Sequence, residues 1–312
     1  MMEPLMMLYM IALMYRDTKV SCVALAQCVV GVSHDGLTRL LQADGCWPTL
    51  LWRLCGQRAI NQGGWRQLDD TVLEKWGPMI FGVFWVYSSR LQKVVRGINV
   101  VVLIWTDGTR RVPIGIKIWR RGGPSKVVLA SKLLRWARRL GLMPEYVLFD
   151  SWYASKKLLQ QVRSYGWHFV TRLRKNRKLA GQPLATHWPY RFGHGQGTLS
   201  GGIEVLVVKD GSRYLATSDP TLSVQQIKHL YGQRQHIEEF IRVLKDQLRW
   251  GKSPARTKAA QLAHLHLCLM AYCVLETTAV HQQTTIYQLR RSLVRQEVPI
   301  HSPLLQPFMA VA

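Results

Sequence analysis

The segment from Tyr231 to Lys245 carries the side chains whose types and spacing best suit chemistry. Its apolar residues recur at helical spacing, which predicts an amphipathic helix over the whole segment. At about 100° per residue, four of its polar residues share a sector of roughly 60°, and Arg242 lies at the edge of that sector. These four are Tyr231, Arg234, Glu238 and Lys245. A single carboxylate among groups that bind phosphate suits a metal ion held beside a polyanionic backbone, so the segment indicates phosphodiester chemistry.

The same spacing has a simpler interpretation, because Arg234 and Glu238 also form an i,i+4 ion pair. Such pairs are common on solvated helix faces and contribute a few tenths of a kcal/mol. One pair alone would favour that interpretation. The full spacing Tyr-x2-Arg-x3-Glu-x6-Lys is much less expected by chance, but its use in catalysis requires further carboxylates upstream.

Two aspartates near the ends of predicted strands can supply those carboxylates. Asp69 lies close to the end of a strand predicted over residues 65–72, and Asp150 follows a short apolar strand over residues 146–149. Each aspartate alone also suits an ordinary turn or helix cap. Asp70, beside Asp69, is an alternative for the first position.

Two-metal phosphoryl transfer needs carboxylates from separate elements around two divalent ions roughly 3.5–4 Å apart. One ion activates the attacking oxygen and the other stabilises the leaving oxygen. Asp69, Asp150 and Glu238 occur in an order that fits this requirement. Together they predict a three-carboxylate site that binds two Mg²⁺ ions, with Mn²⁺ as a substitute.

The elements that would position these residues follow the order β-β-β-α-β-α. The predicted strands cover residues 65–72, 97–105, 112–119, 146–149 and 167–173, and the helices cover 125–140 and 155–164. This order predicts an α/β fold of the RNase H-like type, with a mixed sheet and helices on both faces. In such a sheet the first and fourth of these strands are neighbours, so Asp69 and Asp150 would meet, and Glu238 would arrive from the later helix.

The remaining segments flank or interrupt this core. We divide the chain into a helical N-terminal region (1–60), the first part of the core (61–177), a β-rich insertion (178–212), the rest of the core (213–255) and a helical C-terminal region (256–312). The C-terminal region is predicted to be helical to about His281, with a less regular tail.

The N-terminal region has the outline of a helix-turn-helix. A helix over residues 21–30 precedes Gly31, and Ser33 is a good N-cap for a second helix over residues 35–42. His34, Thr38 and Arg39 are the candidates for DNA contact on the second helix. Simple helical packing explains the pattern equally well.

Three motifs between residues 68 and 245 resemble the blocks of bacterial insertion-sequence transposases of the DDE type, in insertion sequence family four. They are Leu-Asp-Asp-Thr, Leu-Phe-Asp-Ser-Trp-Tyr and Tyr-x2-Arg-x3-Glu-x6-Lys. The resemblance implies that Asp69, Asp150 and Glu238 bind metal and that Tyr231, Arg234 and Lys245 position the transposon-end phosphates and the flipped strand. The first block of that family usually reads Asp-x-Thr or Asp-x-Ser, which selects Asp69. Members of the family hold a flipped base with a Trp of the insertion, for which Trp188 is the local candidate.

The charge of the chain points to the same class of partner. Its 312 residues include 42 Lys and Arg against 18 Asp and Glu, a net charge of +24, and the excess is spread along the chain. Such a field implies a polyanionic partner, and nucleic acid is the default. The apolar runs at 5–15 and 262–275 are too short or too interrupted for a membrane span, so we expect a soluble, cytoplasmic protein.

These observations predict a cut-and-paste DNA transposase that binds terminal inverted repeats and target DNA. The resemblance further implies that it acts as a homodimer in a synaptic complex. The alternatives are an RNase H-like nuclease without strand transfer and an inactivated DNA-binding relic. The sequence contains no P-loop, nucleophile elbow or dinucleotide fingerprint.

Overall fold

The computed structural model describes residues 2–15, 17, 20–29, 31–57, 60, 63–188 and 190–295. Within these ranges the chain forms an α/β fold around one mixed sheet of eleven strands. The strands are β1 (Trp65–Glu74), β2 (Phe84–Ser88), β3 (Lys93–Thr106), β4 (Arg111–Trp119), β5 (Tyr146–Phe149), β6 (His168–Leu173), β7 (Lys178–Leu179), β8 (Gln182–Pro183), β9 (Phe192–Leu199), β10 (Ile203–Asp210) and β11 (Arg213–Thr217).

The helices precede, interrupt and follow these strands. They are α1 (Met2–Tyr15), α2 (Cys22–Ala26), α3 (His34–Gln42), α4 (Trp47–Leu51) with a π-helical turn (Trp52–Gly56), α5 (Lys126–Arg139), α6 (Lys156–Ser164), α7 (Leu184–His187), α8 (Val224–Gly232), α9 (Gln235–Gln247), α10 (Lys258–His281) and α11 (Ile286–Arg295).

The central strands have the RNase H-like arrangement that the sequence predicts. β1 pairs antiparallel with β3, which pairs antiparallel with β4, and β1, β5 and β6 run parallel side by side. Strands β11, β10, β9, β7 and β8 then extend the same sheet beyond β6, so the strands of residues 178–212 continue the central sheet. The predicted adjacency of the strands before Asp69 and Asp150 is confirmed.

Helices cover both faces of the sheet. On one face, Leu68 and Val101 pack with Leu133 of α5 and Leu158 of α6. The opposite face is covered in two parts. Val100 and Val102 pack in the same core as the apolar side of α9, α10 and the N-terminal helices, whereas Leu148 packs against Ile227 and Leu230 of α8. Because side chains alternate along a strand, successive residues of β1 face different helices.

Helix α10 is the centre of the helical part of the core. It is long and apolar enough to cross a bilayer by length and composition, but 83% of its most apolar window is buried inside the protein, which is the position of a core helix. Helices α1, α3 and α4 pack around it. In α3 the hydroxyl of Ser33 accepts a hydrogen bond from the Gly36 N–H, as a helix cap should. Leu37, Leu40 and Leu41 are buried, while His34 and Arg39 are exposed and Thr38 is half-buried.

Three elements differ from the sequence prediction. Strand β2 was not predicted, because its outward residues Trp85 and Tyr87 are aromatic and exposed and give no alternation of apolar and polar residues. Helix α11 occupies part of the C-terminal segment predicted to be irregular. The single helix predicted from Tyr231 to Lys245 is two helices, with Gln233 and Arg234 between them.

Candidate active site

Parallel pairing of β1 with β5 brings two carboxylates together at the same edge of the sheet. Leu68 is in register with Phe149, the last residue of β5, so Asp69 and Asp150 follow as neighbours. Neighbouring strands lie about 4.8 Å apart. Alternation directs Asp69 to the face of Gln67, and Asp150 to the face of Leu148. This is the face that α8 and α9 cover.

Arg234 connects Asp69 to Glu238. Its Nη1 lies 3.3 Å from Oδ2 of Asp69, and its Nη2 donates to Oε1 of Glu238 at 2.5 Å. The side chains of Arg234 and Asp69 are largely buried (14% and 18% exposed), whereas that of Glu238 is 52% exposed. The i,i+4 pair of Arg234 and Glu238, which alone would suggest surface decoration, is therefore part of a series of ion pairs that extends to the buried Asp69 in β1.

The electrostatics of this chain depend on burial. Burial raises the pKa of Asp69 to about 7; Arg234 opposes the shift, and the carboxylates of Asp150 and Asp70 add to it. For Arg234, burial lowers the pKa, but Asp69 and Glu238 outweigh this effect and raise it above the usual value. A buried carboxylate that lies near others and is only partly compensated favours a further cation.

Gln67 sets the position of Arg234. Its Nε2 donates to the Gln233 carbonyl at 2.6 Å, and its Oε1 accepts from the Ile237 N–H at 2.8 Å. These two bonds pair backbone groups where α8 ends at Gly232 and α9 begins, and glycine is a weak helix former at that point. The break in the predicted helix is thus held against β1 two residues before Asp69. Sequence reasoning missed this role, since a glutamine inside a strand carries no distinguishing pattern.

Asp70 points to the opposite face of β1 and is fully engaged there. Its Oδ2 accepts from Lys126 at 2.5 Å and from Asn99 at 2.8 Å, and its Oδ1 accepts from the Tyr153 hydroxyl at 2.8 Å. The carboxylate of Asp69, in contrast, accepts a hydrogen bond from the backbone N–H of Asp70 at 2.9 Å and forms the ion pair with Arg234. The tertiary structure therefore separates the two adjacent aspartates into different environments.

Tyr231 and Asp150 lie together on the α8 side. Burial raises the pKa of Tyr231, Arg234 and Arg172 oppose the shift, and Asp150 and Asp69 add to it. Asp150 is held by its own turn, since its Oδ1 accepts from the Trp152 N–H at 2.9 Å. Tyr231 is thus near both aspartates although it belongs to a different helix from Glu238.

Lys245 and Arg242 lie further along α9. Lys245 is seven residues beyond Glu238, or about 10 Å along the helix, near Glu74 at the end of β1. Burial lowers the pKa of Lys245 to about 8, Arg90 adds to the shift, and Glu74 opposes it. Arg242 is exposed. Helix α9 therefore runs beside β1, and its cations Arg242 and Lys245 lie further along the helix than Glu238.

Trp188 lies apart from these residues. Its indole lies on the backbone of β9, because a Cβ added at Gly193 would come 2.3 Å from the ring and one added at Gly195 would come 3.2 Å from it. It packs against the core that contains α5 and α6, and its carbonyl accepts from Lys209. Among the residues that the structure describes, its contacts are with the insertion and the core of α5 and α6, and none joins it to the predicted carboxylates or to α9.

Divalent metal ions fit part of this site. Within the described ranges, no group of three or more His, Cys, Asp and Glu side chains is gathered closely enough to hold a metal ion. Asp69 and Asp150 are hard oxygen donors of the kind that Mg²⁺ prefers. The guanidinium of Arg234 lies between Asp69 and Glu238, and its buried Nη1 forms no hydrogen bond. The carboxylate oxygens of Asp69 and Asp150 therefore suit a divalent cation. Glu238 is connected to Asp69 through the guanidinium of Arg234.

Comparison with known proteins assigns the chain to a family. Residues 86–274 match a family described as "Transposase DDE domain". The matched range includes Asp150 and Glu238, while Asp69 precedes it. No curated protein matches significantly.

One solved structure supports the fold described above. A piggyBac transposase in a synaptic complex with hairpin DNA aligns with 99% of this chain and 74% of its own, at a TM-score of 0.58 and 12% identity. At that identity the likeness concerns the fold. The NurA nuclease from Sulfolobus solfataricus aligns over 80% of this chain and 93% of its own at 10% identity, with a TM-score of 0.29, too low to indicate a common fold.

Proposed function

Because the chain belongs to the transposase DDE domain family, we propose that it is a DNA transposase that binds terminal inverted repeats, cleaves a phosphodiester and joins the released end to target DNA. The family implies an enzyme that cleaves nucleic acid and generally uses divalent metal ions. Assignment to insertion sequence family four is part of the proposal and is supported by the Tyr-x2-Arg-x3-Glu-x6-Lys spacing.

The observation that carries the proposal is that the pairing of β1 with β5 brings Asp69, in the middle of β1, next to Asp150, just after β5, on the face where Arg234 links Asp69 to Glu238. Asp69, Asp150 and Glu238 are the proposed metal ligands. Asp69 is preferred to Asp70 because Lys126, Asn99 and Tyr153 already occupy both oxygens of Asp70.

The chemistry supplied by bound Mg²⁺ or Mn²⁺ is activation of the attacking oxygen and stabilisation of the leaving oxygen. The protein's own residues position the DNA. Arg234 and Tyr231 lie beside the two aspartates and are suited to hold the phosphate next to the cleaved bond. Arg242 and Lys245 contact phosphates further along the strand, about one and two turns of α9 beyond Glu238 respectively.

DNA as the partner is supported by several independent features. The chain carries a net charge of +24, and its fold is similar to that of a transposase captured with hairpin DNA. Helix α3, with His34 and Arg39 exposed, is the proposed contact to the terminal repeats. Base stacking by Trp188 would require its indole to leave the backbone of β9. A homodimer in the synaptic complex completes the proposal.

The proposal is tested by incubating the purified protein with a terminal-repeat duplex and Mg²⁺ or Mn²⁺, and by scoring both cut and joined products. We expect cleavage and joining by the wild type and neither product with Asp150→Ala or Glu238→Ala. Each variant is checked for folding by thermal melting. Glu239→Ala is a matched control on the same helix, since Glu239 pairs with Arg111.

Cutting without joining would show a nuclease in place of a transposase. Tight DNA binding without cutting in the wild type would indicate a relic. Persistent cleavage by Asp150→Ala or Glu238→Ala would contradict the proposed ligands.

A further inference from the structure

A large groove begins beside Asp150 and is separate from the face that α9 covers. Its volume is about 1100 Å³, above the roughly 300–1,000 Å³ typical of sites for one small molecule. One wall comes from β2 and the start of α5, and the other from the turn after β5 and the segment after β6. The groove thus connects the exposed edge strand β2 with the end of the sheet that carries the aspartates.

The groove combines aromatic side chains with positive charge. Its lining residues, all within the described ranges, include no Asp or Glu. The aromatic residues are Phe84, Trp85, Tyr87, Trp119 and Trp152, and the cationic residues are Lys126, Arg174, Arg177 and Lys178. Aromatic faces interleaved with cations are the usual means of binding unpaired nucleotides, because bases stack on the rings while cations contact the phosphates.

Trp152 is the best-placed ring in the groove. It is 55% exposed although two cations approach its ring: Lys126 Nζ is 5.6 Å from the ring centroid and Arg174 Cζ is 5.5 Å from it. Its backbone N–H donates to Asp150, and Lys126 also binds Asp70. The ring is therefore fixed relative to the carboxylate edge and remains open to a ligand.

Arg177 supplies a second, independent indication of an anionic ligand. Its Nε and Nη2 atoms are buried yet have no hydrogen-bond partner in the part of the chain that the structure describes. Buried N–H groups without an acceptor are costly, and a phosphate oxygen in the groove would provide an acceptor once the guanidinium turns toward it. Burial also lowers the pKa of Arg177, as expected for a cation that lacks a counter-charge.

We propose that this groove binds an unpaired stretch of DNA strand next to the cleaved bond, with one base stacked on Trp152 and its phosphates held by Lys126, Arg174 and Arg177. The inference rests on the proposed action on DNA, but it concerns a different surface from Tyr231, Arg234 and Lys245. It also differs from the stacking role proposed for Trp188. The chemical class of ligand is single-stranded DNA continuous with the duplex substrate.

The test measures binding of two probes to the full chain in EDTA, so that cleavage plays no part. The probes are a blunt terminal-repeat duplex and the same duplex with a single-stranded tail containing the fluorescent base 2-aminopurine. For Trp152→Ala, we expect roughly tenfold weaker binding of the tailed probe, unchanged binding of the blunt probe and loss of quenching of the 2-aminopurine signal. Trp152→Phe should retain most of the tail affinity.

Trp76→Ala is the matched control, because Trp76 is 85% exposed and lies outside the groove lining. Arg177→Gln should weaken the tailed probe and spare the blunt one. Equal losses for both probes, no change with Trp152→Ala, or the same loss with Trp76→Ala would each overturn the groove assignment.

The outcomes also separate this inference from the proposed function. Cleavage and joining by the wild type, with tail binding unaffected by Trp152→Ala, would reject the groove and leave the transposase proposal standing. Absence of metal-dependent cleavage, with tail binding lost in Trp152→Ala, would reject the transposase proposal and leave the groove as a binding site for single-stranded DNA.

Discussion

Nη1 of Arg234 lies 3.3 Å from Oδ2 of Asp69, and this ion pair joins the start of α9 to the strand that bears the first carboxylate. The same guanidinium binds Glu238 through Nη2. Asp69 and Glu238 are thus connected through the shared cation of Arg234. The relationship makes the position of α9 on β1 a condition for assembling the site.

The contrast between Asp69 and Asp70 predicts different failures for the two variants. Asp69→Asn should remove cleavage and leave the fold intact, because it deletes a proposed metal ligand. Asp70→Asn should lower the free energy of unfolding by about 1–3 kcal/mol, because its carboxylate anchors Lys126, Asn99 and Tyr153. Urea unfolding and the cleavage assay measure the two effects. If Asp69→Asn cleaved normally and Asp70→Asn did not, the first ligand would have to be reassigned.

The raised pKa of Asp69 predicts a pH dependence of stability in metal-free protein. The folded state holds this proton up to about pH 7, whereas the unfolded chain releases it near the ordinary aspartate pKa of 3.8. Folding therefore binds a proton across that interval, and the contribution of Asp69 to stability falls as pH rises.

Comparing Asp69→Asn with the wild type isolates this effect, because the other titrations are common to both proteins. The variant should gain on the order of 2 kcal/mol relative to the wild type between about pH 5 and about pH 8. Urea unfolding in EDTA at the two pH values measures it. A difference between the two proteins that does not change with pH would show that Asp69 is not destabilised by burial.

The two hydrogen bonds of Gln67 predict that this buried residue matters for both fold and cleavage. Gln67→Leu would leave the Ile237 N–H without its acceptor, at a cost of about 1–3 kcal/mol. The Gln233 carbonyl would lose one of its two hydrogen bonds and keep the one from the His236 N–H. It should also reduce cleavage, because Arg234 depends on the position of the same turn. Gln160→Leu removes an exposed bond to the Gly201 carbonyl and should change stability by less than about 0.5 kcal/mol. A similar small effect for both variants would contradict the positioning role.

We expect Lys245 to contribute to DNA affinity independently of metal binding. Lys245→Ala should reduce the salt dependence of binding by about one unit of slope, without changing metal affinity. Since burial lowers the pKa of Lys245 to about 8, raising the pH from about 7 to about 9 should weaken wild-type binding by up to about tenfold through this group. Lys245→Arg should bind without that pH dependence. Fluorescence anisotropy of a labelled terminal-repeat duplex measures both effects. Arg242→Ala, which removes another proposed phosphate contact, should lower the salt slope but keep the pH dependence.

The parts of the fold that sequence patterns predicted are those governed by local periodicity. Strand β3 is rich in β-branched residues and β5 is an apolar run that ends just before Asp150, and the caps of α3 and α5 are set by Ser33 and Ser125. Strand β2 was not predicted because its outward side chains Trp85 and Tyr87 are aromatic and yet exposed. The sequence therefore lacks the alternation of apolar and polar residues that indicates a strand with one buried face.

The sequence by itself determined which residue types were available: two aspartates associated with predicted strands, one glutamate at a fixed spacing from Arg234 and Lys245, and an excess of cations. Only the tertiary structure decided how they are divided. Asp69 and Asp70 are indistinguishable as neighbours in sequence, but alternation along β1 directs one toward Arg234 and the other toward Lys126. Long-range contacts of this kind, including those of Gln67 with the turn before α9, depend on how elements pack, and local spacing does not encode them. The groove beside Trp152 arises in the same way, from segments far apart in the chain.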